Sequence, residues 1–141
     1  MSTESDPGAL RSIAVTAEDV VTAAETNRTS ERTAVLRVTP PFSGRMRARL
    51  HVCLDDTEEP AAIHIPPTQL LADETPAYPR PSATEDELRS DPDAEYTVER
   101  HREYHETAVR EWREAVRNGI VESVTLETAA GPHEVTVHVL D

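Results

Sequence analysis

The chain has 141 residues, a length that suits one domain able to bury roughly two thirds of its unfolded surface. It carries 27 acidic residues against 14 basic ones, all arginine, for a net charge of −13. That balance argues against a general polyanion-binding protein, and no apolar run approaches the roughly 20 residues of a membrane-spanning helix.

Dense carboxylates without a single lysine point to a salt-rich cytoplasm, where an acidic surface keeps a protein hydrated. Cys53 is the only cysteine, so no intrachain disulfide forms. Residues 1–8 are acidic and polar with no apolar segment of the signal-peptide kind, and a cytoplasmic location is expected.

In chain order, residues 1–12 read as a flexible tail and 13–141 as a single α+β domain. Thr16-Ala17-Glu18-Asp19 is a capping box, with Val15 and Val20 as its hydrophobic staple, so a short helix is predicted over 17–27. Residues 33–39 read as a strand closed by Pro40-Pro41. A second strand over 45–54 alternates strictly: Met46, Ala48, Leu50, Val52 and Leu54 on one face, Arg45, Arg47, Arg49, His51 and Cys53 on the other. Residues 55–60 form an acidic turn, and 61–65 a third short strand.

Residues 72–95 hold Pro76, Pro79, Pro81 and Pro92 among many acids and show no period, which reads as a Pro-rich acidic loop with at most a helical turn near 85–88. The strongest helical signal follows, over 96–120. Apolar residues at helical spacing, Val109, Trp112 and Val116 among them, face away from a charge ladder of Arg102, Glu106, Arg110 and Glu114. Thr97 is the expected N-cap, and Asn118-Gly119-Ile120 reads as a stop with Gly119 left-handed. Residues 121–128 and 133–140 then form a hairpin. The fold expected is α+β, a mostly antiparallel sheet of about five strands with two helices packed on one face.

Two features bear on function. Residues 28–54 hold six arginines and one acid, a local +5 that leaves −18 for the rest. Arg37, Arg45, Arg47 and Arg49, with Phe42 in the adjoining turn, are the candidate anion- or partner-binding residues, because guanidinium forks match phosphate and carboxylate oxygens. The competing reading is that the protein's own carboxylates meet this face. Nonspecific nucleic-acid binding is not expected: with five phosphate contacts, a tenfold rise in salt weakens it by about 10⁴–10⁵, and only Phe42 is near for stacking. The second feature is His101 and His105, one helical turn apart, a spacing at which two imidazoles reach one divalent metal such as zinc. A third ligand would have to come from elsewhere, and packed core histidines are the commoner outcome. No catalytic residue is assigned; the chain has no P-loop, no dinucleotide loop and no nucleophile elbow.

The run 35–52, centred on Thr39-Pro40-Pro41-Phe42-Ser43-Gly44-Arg45, resembles a family of small haloarchaeal proteins of unknown function, as does 95–105. The resemblance implies a lineage and a cytoplasmic setting and carries over no catalytic residue. The expected function is therefore a non-catalytic binding or interaction module that uses the arginine-bearing strand, without a cofactor and without a membrane. The alternative is a small metal-dependent hydrolase or nuclease using His101 and His105.

Overall fold

The computed structural model describes residues 6–53 and 61–140. Leu54 and the expected turn at 55–60 lie outside the described residues. The elements are β1 (Ser12–Thr16), α1 (Ala17–Thr29), β2 (Ala34–Val38), β3 (Arg45–Arg47), β4 (Arg49–Val52), β5 (Ile63–Ile65), α2 (Pro81–Ser90), α3 (Val98–Asn118), β6 (Ser123–Thr128) and β7 (Gly131–Leu140). Short 3₁₀ turns, Pro7–Ala9 and Pro67–Leu70, sit before β1 and after β5.

The expected single sheet with two helices is corrected: the described strands form two sheets, and the described helices number three. The larger sheet has the order β3-β1-β7-β6 and is mixed, with β1 parallel to both β3 and β7 and β6 antiparallel to β7. The smaller sheet, β4-β2-β5, is antiparallel. Parallel pairing needs a crossover, and α1 with β2 supplies it between β1 and β3.

β1 escaped the sequence reading because it is five residues long and runs straight into the helix cap. Its Val15 looks like a staple and is in fact a fully buried strand residue, as is Ile13. Leu10, just before it, is also fully buried.

The strand expected over 45–54 breaks at Ala48. That residue is fully buried and donates its N–H to the Ala14 carbonyl at 2.9 Å, handing the chain from one sheet to the other. The inward parity of Met46, Ala48 and Leu50 continues across the break, so alternation alone could not reveal it.

The third helix, α2, lies in the stretch expected to be irregular. Pro81 occupies its first turn, where a missing N–H costs nothing, and only Thr84 and Leu88 are buried, too few to give a period. The cap geometry of the other helices follows the sequence. Thr16 Oγ1 accepts from Asp19 N at 3.1 Å and Thr97 Oγ1 from Arg100 N at 3.0 Å. Gly119, expected to be left-handed, has φ −101°. Close approach explains it instead: a Cβ there would lie 2.6 Å from Thr75 Oγ1 and 3.1 Å from the Ala115 carbonyl oxygen. The hairpin turns through Ala129-Ala130, with Gly131 at φ 104°.

The core lies between the sheets and the helices. Ile13, Val135 and Leu126 come from the larger sheet, Leu36 and Ile65 from the smaller, Val20 from α1, and Trp112 with Val116 from α3. Only the C-terminal half of α3 joins this core: Val109, Trp112 and Val116 are buried, whereas Val98 is 68% exposed. The N-terminal half carries α2 instead, so α2 and the start of α3 form a helical arm.

Candidate functional site

The break at Ala48 divides the arginine stripe. Arg45 and Arg47 stay in the larger sheet, and Arg49 joins the smaller one opposite Arg37. Phe42, also expected at the site, is buried in the core.

On the outward side of the larger sheet, Arg45, Ser12 and Thr136 form one row across β3, β1 and β7. Arg47, Ala14 and His138 form the next. Adjacent strands are about 4.8 Å apart, so Arg47 and His138 stand roughly 10 Å from each other with only the Ala14 methyl between them. The small residue flanked by long ones leaves a groove of about 330 Å³, lined by Ser12, Ala14, Arg45, Met46, Arg47, His138 and Leu140. Among the described residues, no carboxylate lines it.

Among the described residues, ion pairs engage Arg89, Arg113 and Arg117, and none engages Arg37, Arg45, Arg47 or Arg49. Arg47 Nε is buried and has no hydrogen-bond partner among the described residues. A buried, unmatched guanidinium N–H is costly unless something accepts from it. Ser12 and His138 were not singled out from the sequence. Their signal is the outward parity they share with Arg45 and Arg47, which becomes visible only once β1 and β7 are known to flank each other.

On the smaller sheet the outward row holds Arg49, Arg37 and His64, with the His51 and His64 rings 5.6 Å apart. Val35 on this side is 5% exposed and lies outside the main core.

His101 and His105 are brought together by α3 on one point, the hydroxyl of Thr84 from α2. Thr84 Oγ1 lies 2.9 Å from His101 Nε2 and 3.0 Å from His105 Nδ1. It also donates within reach of the Pro81 carbonyl at 3.1 Å, and Thr84 is 3% exposed. Neither His51, on the smaller sheet, nor His64 is among the residues gathered at this point. Among the described residues, no group of three or more His, Cys, Asp or Glu side chains could hold a metal ion. Thr84 was missed because a lone threonine in an aperiodic acidic stretch gives no signal.

A third polar cluster joins α1 to α3. Glu25 accepts from Arg113 Nε and Nη2, both at 2.8 Å, and from the Tyr78 hydroxyl at 3.1 Å. The Arg113 hydrogen bonds hold the Glu25 carboxyl below its ordinary range, against the opposing effect of burial. Burial and the Glu25 charge push the Tyr78 phenol up. Tyr78 meets the Trp112 ring edge-on at 4.7 Å, and Trp112 Nε1 donates to the Pro76 carbonyl. These groups are fully engaged with one another, which marks the cluster as a structural clasp.

Among the described residues no helix is long and apolar enough to cross a membrane. No curated protein and no solved structure matches the chain. One family model does, over residues 1–141, and by that match the chain belongs to the family described as Domain of unknown function (DUF8009).

Proposed function

We propose that the protein is a non-catalytic binding module that holds an anionic ligand, or an acidic patch of a partner, in the groove between Arg47 and His138. The observation that carries this reading is the absence of any carboxylate within ion-pairing distance of Arg45 and Arg47 among the described residues, in a protein with 27 acids. In so acidic a chain, two arginines on one strand without an ion-pair partner among the described residues favour an external anion over an internal one. We also propose a cytoplasmic, salt-rich setting of the haloarchaeal kind, supported by 14 arginines and no lysine.

The test is an amide chemical-shift titration with inorganic phosphate, sulfate and citrate. Saturable shifts are expected at Ser12, Ala14, Arg45, Arg47 and His138, lost in R45Q/R47Q and kept in R37Q/R49Q. Shifts confined to the smaller sheet, or none with any anion, would overturn the assignment. The alternative, a metal-dependent hydrolase or nuclease, is supported by the convergence of His101 Nε2 and His105 Nδ1 on one point. It has two nitrogen donors and a threonine hydroxyl already between them, and so it stands second. Zinc bound tightly by wild type and lost in H101A/H105A would reverse that order.

A further inference from the structure

We infer that the groove selects a terminal phosphate group, the dianion of a phosphate monoester, over carboxylates and phosphodiesters. The inference rests on the anion-binding reading above and narrows it.

Donors approach the groove from three different strands: Arg45 and Arg47 from β3, Ser12 from β1, His138 from β7. The two guanidinium groups leave the same side of one strand two residues apart, roughly 6.6 Å along it. Each fork prefers two acceptor oxygens. A carboxylate has two oxygens in one plane, enough for one fork. A phosphodiester also has only two unesterified oxygens. A terminal phosphate has three, spread over a tetrahedral face, so two forks can share them while Ser12 or His138 donates from the other side.

The gap left by Ala14 suits a group of that size. It sits between side chains on strands two apart, and widening Ala14 would close it without touching a charge. Arg47 Nε, buried and unpartnered among the described residues, receives an acceptor in this arrangement. Leu140, 40% exposed, adds an apolar surface on the β7 side of the groove, beside His138 and across from Ala14 of β1. An organic body attached to the phosphate has a surface to lie on. Among the described residues, no carboxylate lines the groove to repel the dianion, although the molecule as a whole is strongly negative.

Calorimetric titration of the full chain with phenyl phosphate, inorganic phosphate, dimethyl phosphate and acetate tests this. Phenyl phosphate should bind one to one and at least tenfold more tightly than dimethyl phosphate or acetate. Arg47→Gln and Ala14→Val should each weaken it tenfold or more, while Arg49→Gln leaves it unchanged. Both weakened variants face the open side of the sheet, and their circular dichroism and melting should match wild type. Phenyl phosphate above inorganic phosphate supports an ester with its body on Leu140; equal affinity supports the phosphate group alone. Acetate or dimethyl phosphate binding as tightly as phenyl phosphate would overturn phosphate selection and leave the anion site standing. No binding of any anion would overturn both.

Discussion

Glu25 is a residue whose loss should be felt as a pH-dependent loss of stability. Its carboxylate takes both arms of the Arg113 fork, and Arg113 is 41% exposed, so solvent screening limits the pair to about 1 kcal/mol. The Glu25 pKa is lowered in the folded state by that guanidinium. Its contribution is therefore fully present above the ordinary glutamate value near 4.5 and is lost as pH falls through the lowered folded value. Glu25→Gln should cost about 1 kcal/mol in urea midpoint at pH 7, and the gap to wild type should shrink below about pH 4. Gly119→Ala should cost more, about 1–3 kcal/mol, because the added methyl meets Thr75 Oγ1 and the Ala115 carbonyl rather than a strained φ. Thr75→Ala combined with it should recover part of that loss, which a double-mutant cycle measures.

At the scale of elements, α2 hangs on α3 through Thr84, Leu88 and surface contacts such as Arg89 over the Tyr96 ring. Thr84→Val keeps the shape and removes the oxygen that both imidazoles approach. Hydrogen exchange should then speed up about tenfold in α2 and the first turns of α3, with β1 and β7 amides unchanged. Equal acceleration everywhere would show that the arm is part of the global unit. This arm is also where the sequence was least legible. The caps at Thr16 and Thr97 could be read because capping is local chemistry, decided within four residues. The hairpin of β6 and β7 could be read for the same reason. β1 could not, since a five-residue strand is specified by neighbours far away in sequence, and α2 could not, since it buries only two side chains. In the N-terminal half of α3, Val98 and Tyr104 are exposed because no layer covers them beyond α2.

For the molecule as a whole, charge repulsion is the dominant electrostatic fact. Raising potassium chloride from about 0.1 to about 1 M shortens the screening length from roughly 10 to 3 Å. It weakens exposed ion pairs that are each worth under about 1 kcal/mol, while relieving repulsion in a chain of net charge −13. The melting temperature should rise by at least about 3 °C, the equivalent of ~1 kcal/mol. A fall would mean that the ion pairs of Arg113 and Arg117 outweigh the repulsion. The candidate site was half legible at this scale. Local charge counting found Arg45 and Arg47, but Ser12 and His138 enter only through pairing between distant strands.

That pairing also sets when the groove comes into being. β1 has β7 on one side and β3 on the other, and Ser12 meets Thr136 across an interval of about 120 residues. The β6–β7 hairpin is closed by a short turn and can form early, whereas β1 must wait for the costliest loop closure in the chain. Refolding should therefore be slow for a chain of this size, on the millisecond-to-second scale, with groove amides acquiring protection last. An anion seated between Arg47 and His138 bridges contacts made after the rate-limiting barrier, so it should lengthen the lifetime of the native state and leave the refolding rate as it was.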